Sequence, residues 1–266
     1  MKKILRPFDI TKPWEAFEGI IASWTRILVP FISKKQHSTT TLELFGSGFI
    51  TWHGRVPYLV TARHVIDGVQ DRGDCAVIIN EKTILLERAV FATDEEFDVA
   101  VSGLLTWNRL LESGLNKARG APLLHTYKRE ERYGVAVLGY PSSKNKFSAV
   151  RRSLVPNAYG VQFTELLSEG TYADASKLLT FRYDQTAFSF ESNPPKINGP
   201  HLRGMSGGPV VEVVYNRDPC GDLNFSVNTI GVFTEWSRSI AKVAPHNAIE
   251  RCIKKFEDII SRKYEK

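Results

Sequence analysis

From Thr39 to Phe233 the chain is a succession of short runs rich in β-branched and aromatic residues. Turn signals interrupt it about every ten residues, the pattern of strands rather than helices. Thr39–Phe45, Gly48–His53, Val56–Ala62, Cys75–Asn80, Thr83–Phe91 and Val99–Leu105 form one series, with Gly-Ser-Gly and His-Gly-Arg turns between the first runs. Tyr133–Gly139, Leu179–Phe190, Pro209–Tyr215 and Val227–Phe233 form a second. A chain built almost wholly of such runs closes into barrels or sandwiches, so the fold class is all-β. The polar stretch Glu112–Arg132, with Gly114, Gly120 and Pro122, reads as the connection between two β lobes.

The two ends read differently. Pro13, tolerated in a first helical turn, fits the start of a short helix over Trp14–Ile27. Near the other end Ile249, Ile253, Phe256 and Ile260 recur at helical spacing, which predicts an amphipathic helix packed on its own domain. Ala158–Lys177 carries few strand signals and reads as loop with a short helix, inside the long stretch Lys144–Ile197. The expected organisation is an N-terminal helical extension over 1–34 and one domain over 35–266. Within that domain the first lobe covers about 38–112, the second about 130–240 and the terminal helix about 247–264.

Composition narrows the function. At 42% hydrophobic and 24% charged residues the chain resembles an ordinary globular protein, which excludes a disordered or collagenous one. No run reaches the roughly 18 apolar residues of a membrane span. The apolar stretch Gly19–Ile32 is broken by Arg26 and preceded by Asp9, Glu15 and Glu18, unlike a secretory signal. The net charge of +6 is a mild excess. Its clusters (Lys128-Arg129, Arg151-Arg152, Arg262-Lys263) build no basic stripe with aromatics between, so no nucleic-acid partner is expected. Cys75, Cys220 and Cys252 are odd in number and lack metal-type spacing. This argues against a disulfide framework and for the reducing cytoplasm. No metal or organic cofactor is expected.

The most specific segment is Gly204-Met205-Ser206-Gly207-Gly208-Pro209, running straight into Val210-Val211. A serine between glycines at the mouth of a strand presents its hydroxyl on a tight turn, and small neighbours let another backbone approach. Such a turn can aim successive N–H groups into one concavity, as a developing oxyanion requires. A plain glycine-rich turn has the same composition. A serine hydroxyl is a weak nucleophile until a base takes its proton. Of six histidines, His37 lies in a polar run, His53 in a hairpin turn and His201 on a loop near Ser206 without fixed geometry. His64 differs: it follows Tyr58-Leu59-Val60-Thr61-Ala62 and precedes Val65-Ile66, so its backbone is anchored on both sides. It fits a general base or a hydrogen-bonded structural histidine. A carboxylate to orient it is available in Asp98, at the mouth of the apolar strand Val99-Ala100-Val101. Asp94, Glu95 and Glu96 read as a solvated acidic turn, and Asp67 and Asp74 as turn residues.

Four segments in this order carry a family resemblance: Gly46-Ser47-Gly48-Phe49, Leu59–Val65, Phe97–Val101 and Gly204–Pro209. Val137-Leu138-Gly139-Tyr140-Pro141 and Ile230-Gly231-Val232 add softer matches. Together the chain resembles the trypsin-like serine proteases, most closely in texture the bacterial HtrA-like protease domain. The resemblance implies two six-stranded antiparallel β-barrels with the site between them. It implies a triad of His64 and Asp98 from the first barrel with Ser206 from the second, and an oxyanion hole from the backbone N–H groups of Gly204 and Ser206. It also implies endopeptidase action on protein or peptide substrates through an acyl-enzyme. The primary pocket would be walled by Gly199–Arg203 and by Phe233, Thr234 and Glu235; Glu235 faces either a basic substrate side chain or solvent.

One departure is informative. The residue before the serine is Met205, where the digestive enzymes carry the aspartate that pairs with a freed N-terminus. The oxyanion turn is therefore either ready as made or ordered by an external ligand, such as an activating protein partner. The second case fits an effector of a bacterial stress or phage-defence system, released by a sensor protein. The competing reading from another class is a catalytically silent protease fold kept as an interaction module.

Overall fold

A computed structural model describes residues 13–35, 41–72, 74–87, 89–107, 131–148, 153–163, 165–167, 177–183, 200–217 and 223–264. Two antiparallel sheets dominate, as an all-β chain of two lobes requires. The first comprises β1 (Leu28–Lys34), β2 (Leu42–His53), β3 (Val56–Ala62), β4 (Ala76–Ile79), β5 (Lys82–Leu85), β6 (Ala92–Asp94) and β7 (Val99–Gly103), in the order β5-β4-β1-β2-β3-β7-β6. The second comprises β8 (Glu131–Gly139), β9 (Tyr159–Phe163), β10 (Glu165–Leu166), β11 (Leu179–Arg182), β12 (Pro209–Arg217), β13 (Leu223–Ser237) and β14 (Ile240–Pro245), in the order β10-β11-β14-β13-β12-β8-β9. Among the described residues three α-helices accompany them: α1 (Pro13–Trp24), α2 (Arg63–Arg72) and α3 (His246–Tyr264). None of the described helices is long and apolar enough to cross a membrane.

Each sheet holds seven strands where six per lobe were expected. One difference is β1, which the sequence reading left in the N-terminal extension. The helix there ends early, at Trp24, and the apolar residues behind it continue as a strand buried at every position except Lys34. Pro30 sits inside that strand, which a central position normally forbids. It is tolerated because β4 pairs with β1 only at Phe31 and Ile32, so no ladder asks for the missing N–H.

A second difference lies at Gly46-Ser47-Gly48, expected to be a turn. β2 runs straight through it, with Phe45 left over as a bulge between the pairs Phe31↔Gly46 and Ile32↔Leu44. The glycines serve close packing: a Cβ on Gly48 would stand 2.8 Å from Val60 O, and one on Gly46 2.5 Å from Val65 Cγ1. The short helix expected within Ala158–Lys177 is absent from the described part of that segment, which forms β9 and β10. β9 joins the sheet edge beside β8, from Val135↔Phe163 to Gly139↔Tyr159. Gly160 and Gln162 had diluted the apolar strand signal there. The connecting stretch over 108–130 and much of the 144–197 insertion lie outside the described residues.

The core has three parts. Val29, Phe31, Ile50, Leu59 and Leu104 fill the first lobe, and Val137, Phe181, Met205, Val210 and Phe233 the second. A third cluster joins the lobes: Val60, Val99, Leu138 and Val211 meet Ile249, Ile253 and Phe256 from α3. The helix thus leaves the second sheet and returns to lie on β6 and β7 of the first, so its apolar face is buried against its own chain. Phe256 packs edge-on to Tyr58, ring centroids 6.1 Å apart.

Candidate active site

β3 passes without a loop into α2, so Ala62 ends a buried strand and Arg63 and His64 open a helix. The first N–H groups of a helix have no partner within it. Here Asp98 supplies the acceptors from the neighbouring chain segment. Its backbone carbonyl takes the Arg63 N–H at 2.9 Å and its Oδ1 takes the His64 N–H at 3.0 Å. Its other carboxylate oxygen, Oδ2, lies 2.6 Å from His64 Nδ1. A carboxylate at a helix N-terminus is also favoured by the helix dipole. His64 is therefore held twice by one side chain, once through its backbone and once through its ring.

Asp98 reaches this position from a left-handed backbone conformation, φ +56°. Aspartate adopts that region more readily than most residues, and the three bonds it accepts offset the strain. The preceding turn is fixed by its own contacts. Asp94 Oδ1 accepts the Phe97 N–H at 3.1 Å, Phe97 is buried, and Arg251 of α3 lies over the Phe97 ring at 4.5 Å. The same guanidinium pairs with Asp94 at 3.0 Å. Asp94 is thus more enclosed than the solvated turn expected of it, whereas Glu95 and Glu96 stay exposed. Asp67 and Asp74 face other partners, Arg63 and Lys34. The Lys34 ammonium holds the Asp74 carboxyl below its ordinary range.

Because an ionised carboxylate only accepts, the hydrogen between His64 and Asp98 belongs to Nδ1. In a neutral ring with its hydrogen on Nδ1, Nε2 carries the lone pair. His64 is half-exposed and Asp98 one-third exposed, so the pair borders solvent among the described residues.

Ser206 stands on the turn entering β12, and two glycines with positive φ shape that turn, Gly204 at +89° and Gly207 at +87°. A Cβ on Gly207 would lie 2.1 Å from both Ser47 O and Thr61 Oγ1 and 2.8 Å from Ala62 N. The residue after Ser206 therefore rests directly on the end of β3, two residues short of His64. Ser206 O accepts the Ser47 N–H at 2.8 Å, which ties the turn to the first lobe. Its other side is tied to β13: Gly207 N–H donates to Phe233 O at 2.7 Å and Phe233 N–H to Gly208 O at 2.9 Å. Among the described residues no hydrogen bond joins Ser206 to His64. Likewise, no acceptor among them takes the backbone N–H of Gly204 or Ser206.

The residues read as pocket walls are placed as follows. Phe233 is buried and braces the serine turn through its backbone. Thr234 is the bulged residue between the pairs Phe233↔Val243 and Glu235↔Lys242, and its hydroxyl donates to Lys242 O at 3.2 Å. Glu235 is exposed and ion-paired with Lys242. His201 has other partners. Its ring packs edge-on to Trp236 at 4.8 Å, and its Nδ1 accepts the Arg203 N–H at 3.2 Å. Cys75 and Cys252 are buried free thiols; Cys220 lies outside the described residues. Sequence reasoning gave no role to Ser47, Tyr140 or Ser142, all of which touch the serine turn or its neighbours. The available signal was a polar residue enclosed by two glycines in an otherwise apolar strand.

Two antiparallel sheets, with a hydrogen-bonded histidine–aspartate pair beside one and a serine turn at the mouth of a strand of the other, give the arrangement that a protease of two β lobes would need. A family model described as a trypsin-like peptidase domain matches residues 46–217, a span that includes His64, Asp98 and Ser206. The chain belongs to the trypsin-like peptidase family, and its function is of the hydrolase, protease type. No curated protein matches the chain.

Proposed function

We propose that the protein is a serine endopeptidase in which Ser206, His64 and Asp98 act as a triad. The reading is carried by the double hold of Asp98 on His64, through Nδ1 at 2.6 Å and through the backbone N–H at 3.0 Å. A structural histidine needs no fixed tautomer; a general base does, with its other nitrogen left to receive a proton.

In this reading Ser206 Oγ attacks the carbonyl carbon of the scissile peptide while His64 Nε2 takes its proton. Asp98 keeps the ring oriented and stabilises its charged form. The negative oxygen that develops is received by the N–H groups of Gly204 and Ser206. Collapse breaks the C–N bond, His64 passes its proton to the leaving amine, and an acyl-enzyme remains. Water, deprotonated by His64, then releases the acid and restores Ser206. Pairing of Glu235 with Lys242 speaks against a pocket that selects basic side chains through that carboxylate.

Exposure to a fluorophosphonate probe tests the reading. The wild type should gain one probe mass on the peptide that contains Ser206, and a Ser206→Ala variant none. No adduct on the wild type, with or without added cell extract, would leave only the silent interaction module.

A further inference from the structure

Ser47 is fully buried in the apolar strand β2, a costly place for a hydroxyl unless it is bonded. β3 pairs with β2 only as far as Gly48↔Thr61, so the main chain of Ser47 lies just beyond the ladder. All of its polar groups turn to the serine loop or its supports. Its N–H donates to Ser206 O at 2.8 Å, and its carbonyl accepts the Thr61 hydroxyl at 2.7 Å. Its hydroxyl donates to Gly204 O at 2.7 Å and accepts the Tyr140 N–H at 2.9 Å.

The consequence follows from peptide planarity. In a trans peptide the N–H points opposite to the carbonyl of the same bond, so anchoring a carbonyl aims an N–H. Three successive carbonyls in this turn are anchored. Arg203 O accepts the Ser142 N–H at 2.8 Å and the Ser142 hydroxyl at 3.1 Å. Gly204 O accepts the Ser47 hydroxyl, and Met205 O accepts the Gly208 N–H at 2.8 Å. The first and third belong to the peptides that carry the Gly204 and Ser206 N–H groups. The middle peptide follows a glycine at φ +89°, whose freedom would let it rotate but for two holds, the Met205 N–H on Leu202 O at 2.9 Å and the Ser47 hydroxyl on Gly204 O. Rotation would strand the buried Ser47 hydroxyl without its acceptor. Met205, fully buried, contributes no charge to the task.

We infer that the Ser47 hydroxyl is the positioning group that keeps the Arg203–Ser206 turn in its anion-binding form. The turn is then ready as made, with no ion pair and no external partner to order it. The inference rests on the reading of Ser206 as nucleophile.

Fluorophosphonate labelling kinetics test it. In that reaction the Ser206 oxygen bonds to phosphorus, the P–F bond breaks, fluoride departs and the hydroxyl proton passes to His64. The developing negative charge falls on the phosphoryl oxygen in the same turn. Wild type, Ser47→Ala and Ser47→Cys are compared, with the maximal labelling rate constant separated from probe affinity. Ser47→Ala should lower the rate constant about ten- to a hundredfold, between the loss of one hydrogen bond and the loss of an oxyanion donor. Probe affinity should change by no more than about threefold. Ser47→Cys, of similar shape but with a weak donor, should fall the same way. A merely structural role would lower the thermal midpoint or the labelled fraction and leave the rate constant per labelled molecule unchanged. That result overturns the inference, while labelling of the wild type keeps the reading of Ser206 intact. If Ser47→Ala does not fold, Ser47→Cys decides by the same criterion. An unlabelled wild type removes both claims together.

Discussion

Substitution of Gly207 by alanine measures how tightly the serine turn is seated on the first lobe. Two penalties combine there. The first is conformational: φ is +87°, and a residue with a Cβ pays about 1–2 kcal/mol for the left-handed region. The second is steric: the new carbon would lie 2.1 Å from Ser47 O and from Thr61 Oγ1. Neither atom can move cheaply, because Thr61 Oγ1 donates to Ser47 O and both belong to strands of the first sheet. Forcing an extra carbon into a well-packed site costs a further 1–3 kcal/mol or so. Gly54 is the internal control. It also has positive φ, +60°, but nothing within 4 Å of its Cβ position, so Gly54→Ala isolates the first penalty. Any entropy that alanine removes from the unfolded chain is the same in both variants and cancels. Gly207→Ala should therefore be less stable than Gly54→Ala by about 1–3 kcal/mol, which for a chain of this size lowers the thermal midpoint by roughly a further 2–6 °C. The assay is thermal unfolding followed by circular dichroism, with fluorophosphonate labelling alongside; labelling should fall for Gly207→Ala and persist for Gly54→Ala. Equal midpoints for the two variants would refute the close seating of Ser206 against β3.

Two further outcomes follow from the same geometry. Asp98→Asn should leave the thermal midpoint nearly unchanged, since asparagine tolerates positive φ and still offers an oxygen to the His64 N–H. Hydrolysis of denatured casein should nevertheless slow by about 10⁴-fold, the magnitude established for the same exchange in the digestive enzymes; a loss below about tenfold would mean another group orients the base. Stability should also fall at alkaline pH. Burial pushes the Cys75 thiol up to about 11 and the Cys252 thiol up to about 12, and it raises the Tyr58 and Tyr140 hydroxyls as well. Above pH 9, the ordinary thiol value, the unfolded chain loses these protons while the folded chain keeps them. The unfolded state then binds fewer protons, and the stability present in full below pH 9 is lost as pH climbs toward the folded values. Urea midpoints at about pH 8 and about pH 10.5 check this, the second being the lower; an unchanged or higher midpoint at alkaline pH would contradict it.

Much of the site was legible in the sequence because its chemistry is local. Asp98 at the mouth of an apolar strand and Ser206 between glycines are each conspicuous within a few residues. The structure joins Asp98 to His64 by two bonds, yet the local setting of His64 differed from expectation. Ala62-Arg63-His64 was read as a strand end between anchored segments; it is a strand-to-helix junction whose first N–H groups are capped by Asp98, and no short window contains both residues. Ser47 shows the converse limit. Gly-Ser-Gly has the composition of a turn, and only contacts with Val60, Val65 and Gly207, all distant in sequence, reveal why glycines flank a serine inside a strand. β1 was missed for a similar reason: Pro30 argues against a central strand unless one knows that β4 pairs on only one side of it. The C-terminal helix, by contrast, was plain, because an apolar stripe at helical spacing encodes both the element and the face it buries.

The protonation of the His64 ring tests the central claim most directly. Histidine labelled with nitrogen-15 would be followed by NMR at about pH 8 and compared with the Asp98→Asn variant. The hydrogen should reside on Nδ1, in a strong hydrogen bond that disappears in Asp98→Asn, with Nε2 unprotonated. A hydrogen found on Nε2, or an Nδ1 signal unchanged by Asp98→Asn, would contradict it.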